Sequence, residues 1–241
     1  MMVKLSHMFK AAPGGKTAKK KKPSQLKHRA HHLLKKVAPQ FVRSVPLPEL
    51  VLLDRDGVIN ENRPDSVKSK SELVLIAGAA NAIARLNEAG IGVAIVTNQS
   101  VVGRGLISQA QLDEIHEFLL ECLWVEGGAR IDHIYYAPDA PDSASIRRKP
   151  RPGMLFEAMA DFKVSAKHTV MIGDNLTDFE AAYEAGCDFH LVRTGNGQSH
   201  EEKFRHELAA LLHPSPSTPK PDYYIHGNLA EAVACLFGDA A

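Results

Sequence analysis

Leu50-Val51-Leu52-Leu53-Asp54-Arg55-Asp56-Gly57-Val58 is the stretch on which the fold turns. Four apolar residues in a row, closed at once by charge and glycine, predict a short buried strand running into a turn. The chain downstream alternates in the same way. A helix is predicted over 79–88 with Gly90 as its stop, then a strand over 91–96. Ser108 caps a long helix whose apolar stripe is Leu112, Ile115, Leu119 and Leu123. Further strands are predicted over 131–136, 169–172, 189–192 and 223–225, and further helices over 154–162, 178–185 and 229–237. Residues 193–222 read as a polar, proline-rich stretch. Strands alternating with helices specify an α/β fold with a mainly parallel sheet. Such sheets bind ligands beyond the carboxyl ends of their strands.

Upstream of this unit the composition changes. Of the 29 Lys and Arg residues, 12 lie in residues 1–45, which hold no Asp or Glu, leaving 17 against all 28 acidic residues beyond. The boundary is therefore set at 45/46: a basic arm with little packed structure, carrying at most a short amphipathic helix over 25–37, and an acidic domain from 46 to 241. The arm suits an anionic partner such as RNA or a membrane surface, or it is a solvated tail. Its lysine-rich composition is unlike a transit peptide, and it has no apolar secretory core. An acidic body does not suggest extensive nucleic-acid contact. No apolar run approaches the length that spans a bilayer. The three cysteines, Cys122, Cys187 and Cys235, are scattered and suggest neither disulfides nor zinc. A soluble, cytoplasmic monomer is expected.

The chemistry sits where the strands end. Asp54 and Asp56 can face one pocket from a turn, one to attack phosphorus and one to protonate a leaving oxygen. Two like charges so close imply a metal ion. Thr97-Asn98-Gln99 follows the second strand and can hydrogen-bond a phosphoryl group, though capping is a common use of such residues. Gly103-Arg104-Gly105 adds a cation on a turn. Arg147-Arg148-Lys149-Pro150 precedes a helix, and a fixed Lys149 can neutralise a phosphoryl group or the nucleophile. Asp174 and Asn175 close the fourth strand, and the carboxylate can hold Mg²⁺, which prefers oxygen ligands. Each motif alone is modest. A nucleophile, a hydroxyl, a lysine and an acid at successive strand ends form a much more specific set.

Together these motifs resemble the haloacid dehalogenase (HAD) superfamily of phosphatases, over residues 47 to 239. The resemblance implies a HAD-like Rossmannoid three-layer sandwich. It also implies that Asp54 is the nucleophile, Asp56 the general acid/base, Thr97 the phosphoryl anchor and Lys149 its stabiliser. The implied Mg²⁺ ligands are Asp54, the carbonyl of Asp56, Asp174 and Asn175, with Asn175 and Asp178 in outer positions. Within the superfamily, Asp54-Arg55-Asp56-Gly57, Thr97-Asn98-Gln99, Gly103-Arg104-Gly105, Ile134-Tyr135-Tyr136 and Arg148-Lys149-Pro150-x-Pro152-Gly153-Met154 look like the heptose 1,7-bisphosphate and histidinol-phosphate phosphatases. The substrate implied is a small phosphorylated molecule, most simply a sugar bisphosphate, with Arg148 for its second phosphate. Only 42 residues separate Asp54 from Thr97, and 51 separate Thr97 from Lys149, so a capless member is expected. Substrate contacts then fall to short loops, with Asn60, Arg63, Asn98, Gln99, Arg104 and Arg148 as candidates. Those relatives usually carry a zinc loop of three Cys and one His. Residues 137–148 here contain no Cys, so no structural zinc is expected.

Two rival readings share these residues. HAD polynucleotide 3′-phosphatases also pair Thr-Asn-Gln with Gly-Arg-Gly, and the basic arm would suit them, whereas the acidic body and Gly173-Asp174-Asn175-Leu176-Thr177-Asp178 look more like the sugar-phosphatase form. A catalytically silent binding module would be expected to have lost Asp54 or Lys149, and both are present.

Overall fold

The four residues Leu50–Leu53 form β1, and every one is wholly buried at the centre of a six-stranded sheet. A computed structural model of the protein describes residues 46–211 and 222–239. The expected basic arm and its short helix lie outside these residues. All described residues fall in one compact unit.

The other strands are β2 (Gly92–Asn98), β3 (His133–Ala137), β4 (Thr169–Gly173), β5 (Asp188–Val192) and β6 (Tyr223–His226). Their order is β3-β2-β1-β4-β5-β6, and every neighbouring pair is parallel. The helices among the described residues are α1 (Ala79–Glu88), α2 (Ser100–Gly103), α3 (Gln109–Gly127), α4 (Gly153–Phe162), α5 (Leu176–Ala185), α6 (Gly197–Leu211) and α7 (Leu229–Leu236).

Alternation along β1 splits the core into two layers. Val51 and Leu53 face α1, α3 and α7 through Ile83, Leu86, Leu119 and Val233. Leu50 and Leu52 face α4 and α5 through Leu155, Met159 and Phe179, with Phe204 of α6 in the same cluster. This is the expected three-layer sandwich, and no inserted domain interrupts the described residues. The predicted stripe of α3 is buried at all four positions. Ser108 caps that helix, accepting from the Gln111 N–H while Gln111 accepts from the Ser108 N–H. Exchanging such a cap for alanine costs about 1 kcal/mol.

Three features differ from the sequence expectation. α5 starts at Leu176, because Asn175 accepts from the Thr177 N–H and fixes the cap two residues earlier than expected. Ser100–Gly103 forms a short helix inside a stretch expected as a substrate-contacting loop, and the expected turn follows it at Arg104 and Gly105. The largest difference is α6, inside the stretch read as polar and irregular. Its mean hydropathy is low, yet Phe204 is buried and meets Phe179 edge-on with ring centroids 4.9 Å apart. Glu201 adds ion pairs to Arg193 and Arg205 on the exposed side. One aromatic anchor fixes the helix, and hydrophobic periodicity does not register one anchor.

Candidate active site

The sheet order sets the site. β1 lies between β2 and β4, so the winding direction reverses there and a crevice opens beyond the carboxyl ends. Asp54 leaves β1, Thr97 lies at the end of β2, Asp174 leaves β4, and Lys149 arrives on the segment before α4. All four line one polar cavity of about 260 Å³. Its wall also contains Asp56, Asn98, Gln99, Arg148, Asn175 and Asp178.

Lys149 is buried, with three protein oxygens around its ammonium. Nζ lies 3.0 Å from Asp54 Oδ1 and 2.6 Å from Asp178 Oδ1, and donates to the Val96 carbonyl at 2.7 Å. Burial would push this ammonium toward neutrality, but Asp178 and Asp54 outweigh it and hold the pKa above the ordinary lysine range. Lys149 therefore stays charged and fixes the nucleophile's carboxylate. Neutralising the nucleophile was one of the two roles expected of this lysine, the other being to neutralise a phosphoryl group. Asn98 fixes the lysine's backbone from both sides, donating to the Lys149 carbonyl at 2.9 Å and accepting from its N–H at 3.0 Å.

Asp54 Oδ1 also accepts from the Arg55 N–H at 2.8 Å. Burial raises the Asp54 pKa to about 6; Lys149 opposes this, while Asp178 and Asp56 add to it. Burial, then Asp54 and Asp178, raise Asp174 to about 8. Ligand oxygens of Asp54, Asp174 and Asp178 lie within 4.8 Å of one another. Three carboxylates beside one lysine leave excess negative charge in a low-dielectric site. An all-oxygen donor set with that excess fits Mg²⁺.

The backbone around Asp174 is shaped for close approach. A Cβ on Gly57 or Gly195 would overlap Asp174 Oδ2, and both glycines have positive φ, +89° and +59°. Asp174 Oδ2 accepts from the Asn196 N–H at 2.7 Å, and Thr194 Oγ1 donates to the Gly57 carbonyl at 2.6 Å. These contacts tie the turn after β1 to the turn after β5.

Asp56 is held from several sides. Arg55, wholly buried, donates from Nε to Oδ2 and from Nη2 to Oδ1, each at 3.1 Å. Asn60 Nδ2 donates to Oδ1 and Gln99 Nε2 to Oδ2, each at 2.9 Å. Burial alone would raise the Asp56 pKa, but Arg55, Asn60 and Gln99 outweigh it and hold it below the usual carboxylate range.

The structure gathers Asp54, Asp56, Thr97, Lys149 and Asp174 as expected and reassigns several neighbours. Asn60, expected at the substrate, is buried and supports Asp56. Asn98 supports Lys149, and Gln99 bridges Asp56 and Thr97. Asn175, expected at the metal, lines the cavity and caps α5 with its side-chain oxygen, and Asp178 joins Asp54 and Asp174 in the acidic cluster. Asp178 stands four residues after Asp174 and was expected only in an outer position. Arg63 is absent from the cavity wall and pairs with Asp65. Arg104 is also absent from that wall. Arg148 donates to the Asp139 carbonyl at 3.2 Å, which fastens the loop after β3. Asn62, Ser66, Ser100, Thr177 and Asn196 also line the cavity. Sequence reasoning missed them because they are small polar loop residues outside the strand-end pattern.

A family model described as haloacid dehalogenase-like hydrolase matches residues 7–186, and one described as HAD-hyrolase-like matches residues 146–232. The chain belongs to the haloacid dehalogenase-like hydrolase family. It is 41% identical over 150 residues to D-glycero-beta-D-manno-heptose-1,7-bisphosphate 7-phosphatase of Bordetella bronchiseptica, covering 62% of this chain and 83% of that protein. It is 40% identical over 155 residues to the Pseudomonas putida enzyme of the same name, covering 64% of this chain and 88% of that one. Among solved structures, D,D-heptose 1.7-bisphosphate phosphatase from B. bronchiseptica, complexed with magnesium and phosphate, aligns with a TM-score of 0.67 at 35% identity. The alignment covers 80% of this chain and 99% of that structure. The family's fold and the relatives' phosphatase names agree with the strand-end motifs. Among the described residues, no helix is long and apolar enough to cross a membrane.

Proposed function

We propose that this HAD-family hydrolase is a Mg²⁺-dependent phosphomonoesterase acting on a sugar bisphosphate of the heptose 1,7-bisphosphate class. The observation that carries the reading is the setting of Asp54: a carboxylate at the end of the central strand, fixed by Lys149, beside Asp174 and Asp178 in one small polar cavity. The names of the relatives supply the substrate class, and Arg148 on the cavity wall suits a second phosphate.

The metal would be held by Asp54, Asp174, Asp178 and the Asp56 carbonyl, and when bound it supplies positive charge to the phosphoryl oxygens. The protein's own groups do the rest. An Asp54 oxygen attacks phosphorus, and the bond to the sugar oxygen breaks. The Thr97 hydroxyl donates to a non-bridging oxygen. Asp56 gives its proton to the departing sugar oxygen and then removes one from the water that attacks the aspartyl-phosphate. Phosphate leaves and Asp54 is restored. Catalysis is chiefly positioning and charge stabilisation. The donors around Asp56 favour its ionised form, which serves the water-activating half. The acid half requires bound substrate to displace at least one of them.

Phosphate release from heptose 1,7-bisphosphate, histidinol phosphate and a 3′-phosphorylated oligonucleotide tests this reading. The heptose ester should turn over fastest, and chelation should stop the reaction. Faster release from either alternative would overturn the substrate class. We assign catalysis to residues 46–241 and contact with an anionic partner to residues 1–45, in a cytoplasmic monomer. Removing residues 1–45 should leave kcat and KM unchanged.

A further inference from the structure

Gln99 is buried, with 2% of its surface exposed, and a single amide nitrogen serves two groups. Nε2 lies 2.9 Å from Asp56 Oδ2 and 2.9 Å from Thr97 Oγ1. The ionised Asp56 carboxylate accepts hydrogen bonds and donates none, so it fixes which end of the Gln99 amide faces it. The second N–H of that nitrogen then points at the Thr97 oxygen. A hydroxyl that accepts there must send its own proton elsewhere, and Thr97 lines the cavity.

From this geometry we infer that Gln99 is a positioning residue that couples the two halves of the reaction. It orients the Thr97 hydroxyl as a donor toward the phosphoryl group, and through the same nitrogen it sets the place of Asp56. The role differs from the substrate contact expected of this residue. It also explains the position of Gln99. Its N–H donates to the Ala137 carbonyl at 2.7 Å, docking it on β3, and its side chain makes no cap for α2 although it stands at the N-cap position. A glutamate here would keep the shape and reverse the logic. It would face Asp56 with a second negative charge and accept the Thr97 proton.

The inference rests on the phosphatase reading, and the test separates the two. Wild type, Gln99→Met, Gln99→Glu, Thr97→Val and the Gln99→Met/Thr97→Val double variant are assayed for kcat and KM on a sugar bisphosphate with Mg²⁺. Each single variant should lose about 10- to 100-fold in kcat, the size of one hydrogen bond to a charged partner, with KM changed by less than about threefold. The double variant should be much less impaired than the product of the single losses, because the two residues act through one contact. Gln99→Glu should be at least as impaired as Gln99→Met, and Gln99→Met, which adds no buried charge, should melt within a few degrees of wild type, which shows that its loss is not unfolding. Wild-type kcat in Gln99→Met, or fully multiplicative losses, overturns the coupling and leaves the phosphatase reading standing. An inactive wild type on every phosphate ester overturns the reading beneath it.

Discussion

Replacing Lys149 with methionine removes the cation that faces Asp54 and Asp178, and the structure sets the size of the effect. At an effective dielectric of about 20, pairs at 3.0 and 2.6 Å contribute roughly 5 to 6 kcal/mol each before desolvation. Desolvation of buried ions offsets much of this, and breaking such a pair typically costs about 3 to 5 kcal/mol because charge is left unpaired. The Val96 carbonyl also loses its donor. The expected result is a loss of about 4 kcal/mol in the metal-free protein. In a domain of this size that lowers the melting temperature by roughly 8 to 16 °C. The assay is urea unfolding in chelator, followed by the same curve with Mg²⁺ and by magnesium titration. Removing a positive charge beside three carboxylates should tighten Mg²⁺ binding while turnover collapses. A variant within about 1 kcal/mol of wild type without metal, or one that binds Mg²⁺ more weakly, would refute the charge accounting.

Mg²⁺ at a hundred times its dissociation constant should stabilise the wild-type protein by about 2.7 kcal/mol, and Asp174→Asn should abolish that shift in a thermal melt. Gly195→Ala should cut Mg²⁺ affinity in the same titration, since its Cβ would overlap Asp174 Oδ2. Arg148→Ala should raise KM for a sugar bisphosphate at least tenfold while leaving a sugar monophosphate little changed. His116 is buried, and burial first, then Arg55, lower its pKa to about 4, against the opposing pull of Asp113 and Asp56. Its folded pKa thus lies below the unfolded value, so its contribution is complete above about pH 6.5 and falls away as pH drops toward 4. That loss amounts to at most about 3 kcal/mol. Urea unfolding from pH 7 to 4 should show a shallower decline in His116→Phe than in wild type.

The sheet was legible because β1, β2 and β4 are short apolar runs, each followed at once by a polar residue that chemistry needs. A run buried on both faces leaves a strong signal, and a catalytic residue at its end interrupts it sharply. The roles around those residues were harder to read. Asn60, Asn98 and Gln99 are polar residues beside catalytic ones, and sequence alone does not distinguish a side chain facing substrate from one facing its neighbour. Their hydrogen bonds to Asp56, Lys149 and Thr97 make that distinction. Asn175 and Asp178 could have exchanged roles on spacing alone. Both take part in the cap of α5, Asn175 accepting from the Thr177 N–H and Asp178 from the Asn175 N–H, and Asp178 alone of the two adds a carboxylate beside Asp54 and Asp174. α6 escaped notice because its hold on the core shows at Phe204, which carries no period.

Covalent phosphorylation of Asp54 during turnover can be captured by chemical trapping. Borohydride added during turnover with Mg²⁺ reduces an aspartyl-phosphate to homoserine, which peptide mass spectrometry locates. Homoserine is expected at position 54, dependent on substrate and absent in Asp54→Asn, which should keep its fold and lose turnover. Substrate-dependent homoserine at another position, or full turnover with residue 54 unmodified, would contradict it.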